Sequence, residues 1–295
     1  DFDEDGDLDY VAGNLGLNNR FQPTPQQPVE LFAKDFDQNG TLDPIMGHSI
    51  GSKLYPSAPR DQLAEQIPPL KKKFTSYAQY GSLTLRDLMD EKVTEGALHV
   101  TATTFASSFI ENRGGGKFEI RPLPDLAQIA PIFGMQATDA DGDGHLDLLL
   151  VGNSYATDVL VGRYDAGKGL LLRGNGRGGF APVSLAKTGL LADRDAKALA
   201  MVATGPRECL WLVSNNDDTL QVFRSMRPLA RPALKLAPDD VAALLTLPSG
   251  KTRRVEFYYG SGYLGQSSRW LPTDGLRAVT VIDARGRRRA VPVKR

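Results

Sequence analysis

Three nine-residue segments repeat one arrangement of side-chain oxygens. They are Asp1-Phe2-Asp3-Glu4-Asp5-Gly6-Asp7-Leu8-Asp9, Asp35-Phe36-Asp37-Gln38-Asn39-Gly40-Thr41-Leu42-Asp43 and Asp139-Ala140-Asp141-Gly142-Asp143-Gly144-His145-Leu146-Asp147. Each has an oxygen-bearing side chain at its first, third, fifth and ninth positions, Gly at the sixth and Leu at the eighth. Carboxylates at this density repel one another unless a cation sits among them. A hard divalent ion with six to eight oxygen ligands meets that demand, and Ca²⁺ meets it best. The expected ligands are Asp1, Asp3, Asp5 and Asp9; Asp35, Asp37, Asn39 and Asp43; and Asp139, Asp141, Asp143 and Asp147. The seventh position varies freely (Asp7, Thr41, His145), so its main-chain carbonyl is the expected ligand there, and the His145 side chain is expected to face solvent. The sixth-position Gly lets the chain turn sharply around the ion. One copy alone reads equally well as a solvated Asp/Gly turn; three copies with one spacing favour the metal. An EF-hand is the next candidate, and the twelfth position argues against it: a bidentate Glu is wanted there and Ala12, Met46 and Leu150 stand instead.

The elements around these loops read as strands. Leu148-Leu149-Leu150-Val151, closed by Gly152-Asn153, has the length and composition of a buried strand. The first two loops start 34 residues apart and the second and third 104 apart, a blade-like period interrupted by an insertion at about residues 52–96. That insertion has helical spacing in Asp61–Gln66, Leu70–Phe74 and Leu83–Met89. A fourth unit, Cys209–Asn215, is preceded by Ala203–Glu208, which lacks the carboxylates and reads as an ordinary turn. Asp193 and Asp195 lie too far upstream to replace them and read as surface-turn residues.

These loops resemble FG-GAP/VCBS repeats, the Ca²⁺-binding blades of integrin-alpha-like β-propellers. Glu111-Asn112-Arg113-Gly114-Gly115-Gly116-Lys117-Phe118 is similar to that family's blade turn. Arg254-Val255-Glu256-Phe257-Tyr258-Tyr259-Gly260-Ser261-Gly262-Tyr263-Leu264-Gly265-Gln266-Ser267-Ser268 resembles the ASPIC/UnbV segment that follows such propellers in large secreted bacterial and cartilage-acidic-protein-like proteins. The resemblance covers residues 1 to about 285. It implies a mainly β chain: a partial propeller over 1–225 with Ca²⁺-loop blades and a helical insertion, then a small β-module over 236–295. The expected junction is the linker-like stretch near Arg224–Lys235, with Pro228 and Pro232. Two hairpins are expected beyond it, around Pro248–Lys251 and Ala284–Arg287.

Composition is that of a soluble globular chain, with no apolar run long enough for a transmembrane helix. The chain opens on a metal-loop ligand, so we expect upstream sequence of the same chain, carrying the export signal and the first blade's leading strand. Ca²⁺ loops of modest affinity suit millimolar Ca²⁺ outside the cytoplasm, which points to an extracellular, cell-surface or periplasmic protein. The single Cys209 reads as a buried hydrophobe. Net charge is zero but uneven: residues 1–50 hold ten acids and two bases, residues 251–295 eleven bases and three acids. No aromatic residues interleave Arg285–Arg289, so a solvated strand pair is favoured there over a nucleic-acid or anionic-glycan patch.

Catalysis finds little footing. There is no Gly-x-Ser-x-Gly elbow and no His/Cys zinc cluster, and His48, His99 and His145 lie in unrelated contexts. Asp61, Asp165, Asp217 and Asp218 read as turn or cap residues. The cluster Phe257, Tyr258, Tyr259, Tyr263 and Trp270 reads as core before contact surface. The leading expectation is a non-enzymatic Ca²⁺-stabilised scaffold that binds extracellular protein or glycan. The alternative is a non-catalytic accessory region of a carbohydrate-active enzyme.

Overall fold

The computed structural model describes residues 1–225 and 229–293. The chain is mainly β, built from small antiparallel sheets. It forms two compact units, one of Asp1–Asn18 with Ala106–Arg295 and the other of Asn19–Phe105. The division follows from one pairing. Strand β1 (Tyr10–Ala12) pairs antiparallel with the segment Ser108–Asn112, Tyr10 opposite Ile110 and Ala12 opposite Ser108. The smaller unit is therefore spliced, in sequence, into one antiparallel pair of the larger.

In the smaller unit, β2 (Val29–Lys34), β3 (Asp43–Ile50), β4 (Lys53–Pro56) and β5 (Leu98–Ala102) form a sheet of order β4-β3-β2-β5. The loop 35–43 joins β2 to β3, with Lys34 opposite Asp43. Five short helices fill the segment between β4 and β5: α1 (Arg60–Gln66), α2 (Pro69–Lys73), α3 (Tyr77–Gly81), α4 (Leu85–Leu88) and α5 (Glu91–Thr94). Helices of one or two turns are not stable alone. Caps and a shared core hold these. Ser76, Thr84 and Asp90 accept the N-terminal amides of α3, α4 and α5. Leu63, Phe74, Tyr80, Leu85 and Leu88 bury against Ile45 of β3, each worth roughly 1.5–3 kcal/mol of apolar burial. Gly47 admits the closest approach: a Cβ there would lie 2.7 Å from Leu85 Cδ2.

In the larger unit, β1 joins β6 (Ser108–Asn112) and β7 (Phe118–Pro122) in one sheet. Next come β8 (Ile132–Thr138), β9 (Asp147–Gly152), β10 (Leu170–Gly174) and β11 (Phe180–Val183), hydrogen-bonded in simple sequential order, with the loop 139–147 between β8 and β9. A one-turn helix, α6 (Leu185–Thr188), leads to the sequential sheet β12 (Ala196–Gly205), β13 (Glu208–Asn215) and β14 (Gln221–Arg224). Every residue of β9 is buried, and its alternation feeds two cores. Leu148 and Leu150 pack with Phe2, Phe109 and Leu172, while Leu149 and Val151 pack with Leu190, Leu199 and Val213. Period-two side-chain alternation requires this of a strand covered on both faces. Phe2, Phe109 and Phe180 meet edge to face with centroids 5.4–5.8 Å apart.

The C-terminal part pairs β15 (Leu234–Lys235) with β18 (Trp270–Leu271). It also forms a sheet β17-β16-β19-β20 from β16 (Asp240–Thr246), β17 (Thr252–Glu256), β19 (Ala278–Asp283) and β20 (Arg288–Val291). Both expected hairpins are formed here. Within the expected linker, Met226, Arg227 and Pro228 lie outside the described residues. The rest is tied down: Leu229 and Ala233 donate their amides to Arg207 O and Pro206 O, and Arg231 donates its own to Asp274 Oδ1. In this unit the structure differs from sequence expectation at Asp195 and at the tyrosine cluster. Asp195 is not a surface-turn residue but is buried, 2.6 Å from Lys197 Nζ, and accepts the Tyr155 amide. Tyr258, Tyr259 and Tyr263 are exposed rather than core, because they lie in and before an irregular loop beyond the end of β17.

Candidate metal centres

The three loops share one backbone course. The fourth position is left-handed in each, at Glu4 (φ 61°), Gln38 (φ 62°) and Gly142 (φ 79°), and so is the sixth-position glycine, at 100°, 87° and 92°. A left-handed Glu or Gln carries a backbone cost of roughly 1–2 kcal/mol, which only a loop fixed on all sides sustains. The carboxylates themselves supply much of that fixing. The ninth-position carboxylate accepts the second-position amide every time: Phe2 to Asp9 at 2.7 Å, Phe36 to Asp43 at 3.0 Å and Ala140 to Asp147 at 2.8 Å. The fifth-position side chain accepts the seventh-position amide in each, at 2.8, 2.7 and 2.9 Å.

Three ligand sets converge. One oxygen from each of Asp1, Asp3 and Asp5 lies within 4.8 Å of the others, and the same holds for Asp35, Asp37 and Asp43 and for Asp139, Asp141 and Asp147. Oxygens sharing one Ca²⁺ at 2.3–2.6 Å stand at most about 5 Å apart, so this spacing fits such an ion. Asp9 and Asp143 stand outside these sets. Asp9 spends both oxygens on the Phe2 and Asn112 amides. Asp143 is drawn to Arg173, whose Nη2 lies 2.8 Å from Asp143 Oδ2 and whose Nε lies 2.8 Å from Asp141 Oδ2. Asn39 accepts the Thr41 amide and donates its own to Asp35 and Asp37.

The first loop holds one further observation. Asp1 Oδ1 is buried and has no hydrogen-bond partner among the described residues, while Oδ2 accepts the Arg254 amide at 3.4 Å. A buried carboxylate oxygen left bare is costly, and a cation in the loop removes that cost. Burial holds Asp3, Asp139 and Asp147 above the usual carboxylate range, with neighbouring carboxylates adding to the effect. In all three, removal from water disfavours the ionised form.

Of the seventh-position residues, Asp7 and Thr41 are exposed. His145 is not directed to solvent as expected. Its Nδ1 lies 2.7 Å from Glu4 Oε1, so the seventh residue of one loop meets the fourth of another. The pair packs over Gly176, where a Cβ would come within 2.3 Å of His145 Nδ1. Sequence spacing gives no sign of this contact, since the two residues are 141 apart. Of the remaining carboxylates considered for catalysis, Asp61 is engaged with Arg60 and the Tyr77 hydroxyl, and Asp218 with Arg194.

No family model matches the chain, and no curated protein matches it.

Proposed function

We propose that loops 1–9, 35–43 and 139–147 each bind Ca²⁺ and that the ions stabilise a propeller-type β-scaffold whose role is binding rather than catalysis. The observation that carries this reading is the loop geometry repeated three times, with converging carboxylates and, in the first copy, a buried oxygen lacking a partner among the described residues. The sequential sheets β8–β11 and β12–β14, with β9 buried on both faces between two cores, support blades stacked side by side. Calorimetric titration of chelator-stripped protein tests the metal. More than one Ca²⁺ should bind, and selective Zn²⁺ binding with no response to Ca²⁺ overturns the assignment.

The partner in this reading is an extracellular protein or glycan. Tyr258, Tyr259 and Tyr263 are each more than half exposed. Aromatic rings with a polar tip are a common contact surface for such partners. Retention on immobilised glycans and surface-protein extracts should fall when Tyr259 and Tyr263 are both changed to Ala. Equal retention of parent and variant removes this surface from the reading.

A further inference from the structure

The stretch Lys251–Arg254 reaches back from the C-terminal sheet to two acidic loops. Arg253 Nη2 donates to Glu4 Oε1 at 3.1 Å and to Gly144 O at 2.9 Å. The Arg254 amide donates to Asp1 Oδ2, and Lys251 Nζ stands 3.9 Å from Glu4 Oε2. Glu4 also holds His145. A four-residue run thus touches the first and fourth positions of loop 1–9 and the sixth position of loop 139–147. Only the Lys251 contact is peripheral. The Arg253 and Glu4 side chains are 5% and 6% exposed, a pair sealed from water across 249 residues of sequence.

We propose that Arg253 is a latch that makes docking of the C-terminal sheet depend on cation occupancy of loops 1–9 and 139–147. The proposal rests on the reading of those loops as Ca²⁺ sites. Three features carry it. First, both Arg253 acceptors belong to loop positions whose placement depends on a left-handed turn: Glu4 is itself left-handed, and Gly144 is the sixth-position glycine. A buried guanidinium tolerates little displacement of its acceptors, because a lost partner leaves a buried charge uncompensated. Second, Asp1 faces β17 with one oxygen on the Arg254 amide and the other bare, so a cation drawn to the bare oxygen also fixes the oxygen that β17 uses. Third, carboxylates without an ion repel one another and open the turns, and an opened turn removes Glu4 Oε1 and Gly144 O together. The cation then differs in affinity between docked and undocked states, which is what coupling requires.

Hydrogen–deuterium exchange on the whole chain, in Ca²⁺ and in chelator, tests the latch, since amide exchange reads local opening segment by segment. In the parent, Ca²⁺ should slow exchange of 240–256 at least about tenfold, together with the two loops. In Arg253→Met, which keeps the aliphatic length and removes both donors, Ca²⁺ should still slow exchange in 139–152, while its effect on 240–256 falls to within about twofold. Calorimetry on the same samples separates the two ideas. If Ca²⁺ does not bind, the metal reading fails and the latch with it. If Ca²⁺ binds and protects the loops of the parent but leaves 240–256 unchanged, the metal reading stands and the latch is overturned, whether or not the variant folds. Equal protection of 240–256 in parent and Arg253→Met overturns it as well.

Discussion

Loops 1–9 and 139–147 are the same device in two electrostatic settings. In both, the ninth-position carboxylate accepts an amide from the strand paired with the one that follows the loop: Asn112 N for Asp9 and Gly174 N for Asp147, at 3.0 and 2.8 Å. The residue before that amide is Glu111 in one case and Arg173 in the other. Glu111 is buried and held by Arg113 and Arg121, and it adds negative potential around Asp3. Arg173 lies across Asp141 and Asp143 and neutralises the loop from within. The backbone scaffold is thus independent of the charge placed beside it. The side chain at this equivalent position gives the two loops different local charge.

The largest expected effect separates third-position ligands. Asp3→Ala removes a ligand from the loop whose converging Asp1, Asp3 and Asp5 carboxylates form no ion pair with a side-chain cation among the described residues, Arg253 and Lys251 being engaged by Glu4 instead. An ion at a concentration a hundredfold above its Kd stabilises by about 2.7 kcal/mol, so most of that should be lost in Ca²⁺. In chelator, Asp3→Ala should be neutral or slightly stabilising, because it relieves repulsion from Asp5 and Asp9. Asp141→Ala should cost about half as much in Ca²⁺, because Arg173 already offsets part of that loop's charge, and should remain destabilising in chelator through loss of the Arg173 contact. Trp211 and Trp270 both lie in the larger unit, so fluorescence-detected melting reports on it alone. Equal losses for the two variants in both buffers would break the comparison.

Arg173 itself gives a smaller effect of opposite signs. Arg173→Ala should tighten Ca²⁺ at loop 139–147 by about threefold to tenfold, since a unit positive charge a few ångströms from a divalent ion costs on the order of 1 kcal/mol even in high dielectric. The same change should lower the melting point in chelator only slightly. Arg173 is half-exposed, and exposed ion pairs contribute roughly 0–1 kcal/mol. Unchanged or weaker Ca²⁺ binding in the calorimeter would show that Arg173 does not compete for the loop.

Parts of this arrangement were legible in the sequence for identifiable reasons. The run Leu148–Val151 marked a buried strand because its length and lack of polar residues admit nothing else. Pro248-Ser249-Gly250 and Gly286 marked the C-terminal hairpins. Repeated Asp spacing located all three loops, and the sixth-position glycines marked one of the two left-handed residues in each. The other, at the fourth position, is occupied by Glu4, Gln38 and Gly142, and no residue type announces it. The apparent 34-residue period between the first two loops was misleading, since they belong to different compact units. What divides them is the pairing of Tyr10–Ala12 with Ser108–Asn112, and a three-residue strand carries almost no register information. The Glu4–Arg253, Glu4–His145 and Arg173–Asp141 contacts are set by packing between distant segments. Local pattern therefore could not reveal which acidic loop is neutralised internally.

The smallest effect is a pH dependence. Burial raises Asp3, Asp139 and Asp147 above the ordinary 3.8 in the metal-free fold. Just above 3.8 the folded chain therefore binds more protons at these groups than the unfolded chain does. Their contribution in chelator accordingly becomes more favourable as pH falls through the raised values, because stability falls with pH wherever the folded state holds the extra protons. In Ca²⁺ the sign should reverse, since an ion in either loop requires that loop's carboxylates ionised and protons compete with it. The difference in melting point between Ca²⁺ and chelator should therefore shrink steadily as pH is lowered from 7 toward 4. The shrinkage should be smaller in Asp3→Ala, which removes one of the three titrating groups. A difference that stays constant over that range would mean that the carboxylates that titrate are not the ones that hold the ion.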